Sequence, residues 1–197
     1  MALVIFEGLP GSGKTTITTY LSKKYHFCVR IGEVIDYRGN EIPIEKHRGK
    51  RWDFFTRSDK NKIKLWRSKL KNKIVLLDRG YVSTISHGFA REFVEKISPL
   101  NKIIQDFKKK LDLKESDIYY VYLDNDIKTS LKRDKHSPED IWGKRPQLEA
   151  TRLFYEIFFL FRKNVYNIKS NKLSLQGCKK ICDKIILEIK KKSKNIN

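Results

Sequence analysis

A chain of 197 residues, 40% of them hydrophobic, suffices for one domain with a full core and contains no apolar run long enough to span a membrane. Its 43 Lys and Arg against 23 Asp and Glu give a formal net charge of +20, a surface that attracts anionic substrates and polyanions but names no groove-reading element by itself. Cys28, Cys178 and Cys182 are too few for a disulfide framework; Cys178 and Cys182, four apart on one helix face, read as small core residues rather than metal ligands, and with a strand-like rather than leader-like start this suits a reducing cytoplasm.

Residues 3–6 predict a first strand, 14–24 a helix and 27–31 a short second strand. From 36 to 51 the chain is polar, with Gly39, Pro43 and Gly49, the composition of a loop or mobile lobe. Residues 51–70 suit a helix bearing Trp52, Phe55, Ile63 and Trp66. The continuous apolar run 74–77 predicts a strand covered on both faces, followed by a helix from about Val82. The span 93–111 is largely helical with a break at Pro99, and 119–123 is another strand. Residues 124–134 begin as a helix that His136, Ser137 and Pro138 interrupt. An apolar-rich helix is expected over 148–162 and a weak last strand over 166–168. The closing helix, 175–192, repeats Leu175, Cys178, Ile181, Cys182, Ile185 and Ile189 at helical spacing. Strands alternating with helices predict a parallel sheet with right-handed crossovers and ligands beyond the carboxyl ends of its strands.

Between the first strand and the first helix stands Gly8-Leu9-Pro10-Gly11-Ser12-Gly13-Lys14-Thr15-Thr16, a full match to the phosphate-binding pattern G-x-x-x-x-G-K-S/T in strand–loop–helix context. The glycines let backbone N–H groups turn toward one point, and the helix start adds unpaired donors there. Gly8, Gly11, Ser12, Gly13, Lys14, Thr15 and Thr16 are therefore the expected ATP-binding residues, with Lys14 on the outer phosphates and the Thr15 hydroxyl on Mg2+. The fold class expected is α/β, a P-loop NTPase three-layer sandwich. It has a central parallel five-stranded sheet and a mobile lid, in one domain covering 1–197.

Asp78 and Arg79 follow the strand at 74–77. Asp78 is placed to hold Mg2+ or orient an acceptor hydroxyl, or else only to cap the next helix; Arg79 is placed to grip an acceptor phosphate or the transferring group. Glu33 follows the second strand and faces the same crevice. It is a general base, a partner that steadies Arg79 or Arg38, or a solvated loop glutamate. Glu7 anchors the loop by hydrogen bonding, with no catalytic role. A basic, Pro- and Gly-broken stretch around 133–146 suits a lid that brings Arg133 and Arg145 over the transferred phosphate and excludes water; the plainer alternative is a charged connector. Arg152 and Tyr155, three apart on the following helix, line the acceptor pocket, or Tyr155 only packs. Tyr37, Trp52, Phe54, Phe55 and Trp66, mixed with Arg48, Arg51 and Arg57, supply either a base-stacking pocket or the packing of a helical lobe.

Residues 6–16, Phe-Glu-Gly-Leu-Pro-Gly-Ser-Gly-Lys-Thr-Thr, resemble the opening of the thymidylate kinases, and Asp78-Arg79-Gly80-Tyr81-Val82-Ser83 is similar to their second motif, with Ser83 at the matching offset. The lid stretch and Arg152 with Tyr155 also have counterparts there. The resemblance implies ATP- and Mg2+-dependent phosphorylation of a nucleoside monophosphate, often by a homodimer, and related deoxynucleoside kinases share much of both motifs. By position, Arg79 touches the acceptor phosphate, Arg133 and Arg145 serve the transferring phosphoryl, and Phe55 stacks on the base, with Asp59 and Lys60 where an Asp-Arg follows. Three departures concern the acceptor. Pro10 replaces a sugar-holding aspartate, Ser86-His87-Gly88 lacks a glutamine near the base, and Glu33-Val34-Ile35-Asp36 replaces Glu-Pro-Gly-Gly. The leading expectation is a kinase for a nucleoside monophosphate or nucleoside. A kinase of nucleic-acid 5′-hydroxyl ends or another alcohol, and a nucleotide-dependent nucleic-acid-binding switch, are the alternatives that the +20 charge keeps open.

Overall fold

The computed structural model describes residues 2–43, 46, 52–69, 72–97, 100–110, 118–133 and 144–194. Five parallel strands, β1 (Ala2–Glu7), β2 (Cys28–Ile31), β3 (Ile74–Asp78), β4 (Ile118–Asp124) and β5 (Val165–Lys169), pair in the order β2-β3-β1-β4-β5. Helices α1 (Lys14–Lys24), α2 (Trp52–Lys69), α3 (Tyr81–Glu95), α4 (Leu100–Lys110), α5 (Ile127–Arg133), α6 (Arg145–Leu160) and α7 (Leu175–Lys194) connect and flank them.

The three layers follow from the period-2 alternation of β1. Ala2, Val4 and Phe6 point to one face, against Ile17 and Leu21 of α1 and Cys178, Cys182, Ile185, Ile186 and Ile189 of α7. Leu3 and Ile5 point to the other, against Ile63 and Trp66 of α2, Val82 of α3, and Tyr155 and Phe159 of α6. β1 and β3 are neighbours, yet the helix after β1 packs on one face and the helix after β3 on the other. That reversal is the switch point at which open α/β sheets bind ligands.

All strands and main helices expected from the sequence are present, with shifted ends. Asp124 closes β4 instead of opening a helix, because α5 is started by Asp126, whose Oδ1 accepts the Thr129 N–H at 2.6 Å. α6 begins at Arg145 rather than 148, since Pro146 suits a first helical turn. α3 stops at Glu95 with Lys96 in a left-handed cap (φ 59°), and the expected breaker Pro99 lies outside the described residues. On α7, Leu175 and Ile181 are exposed and Ile186 takes their place in the core. The three cysteines are free and buried, and burial pushes the Cys28 and Cys182 thiols up to about 12.

Candidate functional site

The loop after β1 turns on glycines. At Gly8 (φ 145°) a Cβ would lie 2.5 Å from the Leu123 carbonyl oxygen, so only glycine lets the loop pass β4. At Gly13 (φ 96°), the residue capping α1, a Cβ would meet nothing within 4 Å, so the loop's mouth is open. Lys14 is buried and donates to the Gly8 and Leu9 carbonyls, both at 2.9 Å, and to Ser12 Oγ at 3.0 Å. Burial and the nearby Arg79 charge push its ammonium down to about 7, against the opposing pull of Glu33, Asp78 and Glu7. The Pro10 carbonyl accepts hydrogen bonds from Ser130 Oγ (2.8 Å) and Asn125 Nδ2 (3.4 Å), which tie the loop to the start of α5. Thr15 and Thr16 are exposed at the head of α1.

At the end of β3, Asp78 is fully buried, and its Oδ2 pairs with Arg30 at 2.9 Å. Arg30 also forks onto Glu41, at 2.6 and 2.9 Å, and reaches Thr18 Oγ1 at 3.2 Å. Asp78 Oδ1 is buried with no hydrogen-bond partner among the described residues. An acceptor-only oxygen left bare beside a phosphate-binding loop fits a magnesium ion held partly by substrate phosphates. Among the described residues no group of three or more His, Cys, Asp and Glu forms a cage made of protein alone.

Arg79 adopts a left-handed backbone (φ 62°), which costs a residue with a Cβ about 1–2 kcal/mol. The turn throws its guanidinium back over the loop. It pairs with Glu33 at 2.9 Å and donates to the Gly8 carbonyl at 3.1 Å and to Ser83 Oγ at 3.3 Å. Burial works against its charge, but Glu33, Glu7 and Asp78 around it hold its pKa above the ordinary arginine value. Glu33 is paired with Arg79 and not with Arg38, and its carboxylate remains half-exposed.

Glu7 is the hub that the sequence reading undervalued. Fully buried, it accepts the Gly80 N–H at 3.0 Å on Oε1; its Oε2 accepts a short hydrogen bond from Ser83 and one from the Tyr155 hydroxyl at 3.2 Å. Burial raises it to about 7, with Ser83, Arg79, Gly80 and Lys14 pulling the other way. Tyr155 and Ser83 thus meet at Glu7, with 3.0 Å between their hydroxyls. Arg30 was also missed: its place inside a short strand gave no sign that it would meet Asp78.

Other expected residues stand elsewhere. Arg133 ends α5 with its guanidinium 3.5 Å from the Gly11 carbonyl, beside the loop. Arg145 is 74% exposed at the start of α6 and pairs with Glu149 at 2.8 Å, and the lid residues 134–143 lie outside the described residues. Arg152 turns to the end of β4, 3.6 Å from Asp124, and to Glu156 at 3.1 Å. Arg38 stacks on its neighbour Tyr37 in an exposed turn and not on Glu33. The aromatic group is dispersed. Trp66 joins the core, Tyr37 is exposed, and Phe54 and Phe55 meet edge-to-face on the first turn of α2, half-buried. Arg48 and Arg51 lie outside the described residues.

No protein-family model matches this chain, and no curated protein matches its sequence. Solved structures do. A deoxyadenosine kinase from M. mycoides with bound dATP superposes with a TM-score of 0.70 at 16% identity, over 93% of this chain and 98% of that one. A thymidylate kinase from Candida albicans does so at 0.67 and 18%, over 96% and 92%. This chain has the fold of the deoxynucleoside and thymidylate kinases. The M. mycoides kinase with its products dCMP and dCDP bound aligns at 0.62 and 16%, over 98% and 99%. The sequence resemblance therefore holds at the level of fold, over nearly the whole chain.

Proposed function

We propose that the chain is a kinase that moves the γ-phosphoryl of ATP to a nucleoside or nucleoside monophosphate. The observation that carries this reading is the cluster at the β1/β3 switch point. A phosphate-binding loop, the bare Oδ1 of Asp78 and a Glu33–Arg79 pair at 2.9 Å stand together around Lys14. Between the two acceptors, the cluster favours the nucleoside. The half-exposed Glu33 carboxylate offers a sugar hydroxyl a hydrogen-bond acceptor and offers an acceptor phosphate no donor.

In this reading Lys14 and the loop amides bind the triphosphate. Thr15 and Asp78 hold Mg2+, which when bound neutralises phosphate oxygens. The acceptor hydroxyl oxygen bonds to the γ-phosphorus, the bond from that phosphorus to the β–γ bridging oxygen breaks, and the hydroxyl proton passes to Glu33. ADP leaves. Arg79 and Arg133 offer fixed guanidinium donors to the charge on the moving group. The lid around 133–146, with Arg145, closes over it within a single domain, in a reducing cytoplasm where the thiols stay free.

A panel of nucleosides, nucleoside monophosphates and a 5′-hydroxyl oligonucleotide with Mg-ATP tests the reading. It expects ADP and a phosphorylated nucleoside. Turnover on the oligonucleotide alone would favour the reading that the +20 charge suggests, and turnover on none would refute both.

The expected homodimer belongs to this proposal as well. Phe93 on α3, Leu153, Ile157 and Leu160 on α6, and Phe161 just after it are exposed large apolar side chains. Sedimentation should give a dimer that Leu160→Glu with Phe161→Glu turns into a monomer; a monomeric wild type would remove the dimer and leave the kinase.

A further inference from the structure

Lys62 stands on α2 with only 1% of its surface exposed, among the core side chains of the layer that carries Ile63 and Trp66. Its ammonium pairs with Asp59 at 3.1 Å, and Asp59 Oδ2 accepts the Thr84 hydroxyl of α3 at 2.7 Å. A buried ion pair that only joined two helices would be replaceable by apolar side chains at little loss. This one has a further contact: Lys62 Nζ donates to the carbonyl oxygen of Arg79 at 3.0 Å.

That carbonyl and the Gly80 N–H belong to one planar peptide and point in opposite directions. The N–H is bound by Glu7 at 3.0 Å, from β1. The peptide after Arg79 is thus gripped from two sides, by a cation on α2 and a carboxylate on β1. The peptide before it is held where the Arg79 N–H meets the Phe6 carbonyl at 3.1 Å. Both backbone rotations of Arg79 are fixed, in a left-handed conformation that its own side chain disfavours.

We propose that Lys62 is a positioning residue. With Asp59 and Glu7 it clamps the Arg79–Gly80 peptide and so aims the Arg79 guanidinium into the crevice beside Glu33 and the phosphate-binding loop. Its effect on turnover rests on the kinase reading above; the clamp itself does not.

Lys62→Met removes the cation. Amide exchange at Gly80 should quicken at least about 10-fold while Val4 and Leu76 keep their protection. On the kinase reading, kcat should fall about 10- to 100-fold with the KM for ATP within about twofold, the signature of a misplaced group rather than a lost binding site. The double variant Asp59→Asn with Lys62→Met leaves no unpaired buried charge and keeps an acceptor for Thr84, so it should fold and show the same loss at Gly80. Unchanged Gly80 protection, or equal loss across Val4, Leu76 and Gly80, overturns the clamp. Faster exchange at Gly80 with unaltered kcat overturns the positioning role. Should wild type transfer phosphate to no acceptor, the kinase reading falls while Gly80 exchange still judges the clamp.

Discussion

Lys14 gives the sharpest quantitative expectation. Without a ligand its ammonium sits near 7, lowered by burial and by Arg79. A triphosphate at the loop brings negative charge to it and restores the charged form, so ATP binding must take up a proton wherever free Lys14 is neutral. Half of it is neutral at pH 7 and about nine-tenths at pH 8, so uptake should rise from about 0.1 proton per ATP at pH 6 through about 0.5 at pH 7 to about 0.9 at pH 8. The sign for affinity follows: the bound state holds more protons, so ATP binding weakens as pH rises, approaching about tenfold per pH unit above pH 8. Terminal phosphates ionise near pH 6, so the ligand's own titration is complete in that upper range. Calorimetry of Mg-ATP binding in buffers of different ionisation enthalpy reads the uptake directly. Lys14→Met should bind weakly and lose most of that uptake, keeping only what the neighbouring Glu7, also near 7, contributes. Tight binding at pH 8 with less than about 0.2 proton taken up would show that Lys14 is charged before ATP arrives, and the argument from burial would be wrong.

Gly8→Ala sets a Cβ against the Leu123 carbonyl at an unfavourable φ, and should cost about 2–3 kcal/mol in urea unfolding; a loss under about 0.5 would mean the loop can yield there. Glu7, raised from 4.5 to about 7, contributes stability that is complete below pH 4.5 and is lost as pH rises through 7. Glu7→Gln should flatten that slope between urea curves at pH 5 and pH 8, and an unchanged slope would place the titration elsewhere. Asp78→Asn should raise the Mg2+ concentration for half-maximal turnover at least about tenfold, because its bare Oδ1 is the oxygen offered to the ion. An unaltered Mg2+ requirement would take Asp78 out of that role.

The phosphate-binding loop was legible because its information is local: glycines and a lysine at fixed offsets between an apolar run and a helix. The apolar runs of β1, β3 and β4 were legible for a similar reason, since strands covered on both faces have no polar side to confuse the pattern. Asp78 and Arg79 could be placed by their position after a strand. What they would touch could not, because Arg30 and Glu33 reach them only through the pairing of β2 with β3. Glu7 looked like a neighbour of the loop, and its weight comes from Ser83 and Tyr155, 76 and 148 residues away. Lys62 resembled any helix-surface lysine three residues after an aspartate, and only the packing of α2 and α3 buries it. Arg145 is a case of the opposite kind: its partner Glu149 was in plain view one helical turn on, and an exposed pair of that sort is weak, so it does not hold Arg145 back from the lid role proposed for it.

The central claim is transfer rather than hydrolysis at the β1/β3 switch point, and tracing the γ-phosphoryl tests it most directly. With γ-labelled Mg-ATP and a nucleoside acceptor, the account predicts one labelled nucleoside phosphate per ADP formed and almost no labelled free phosphate. Label appearing in free phosphate at the same rate with and without the acceptor would contradict it.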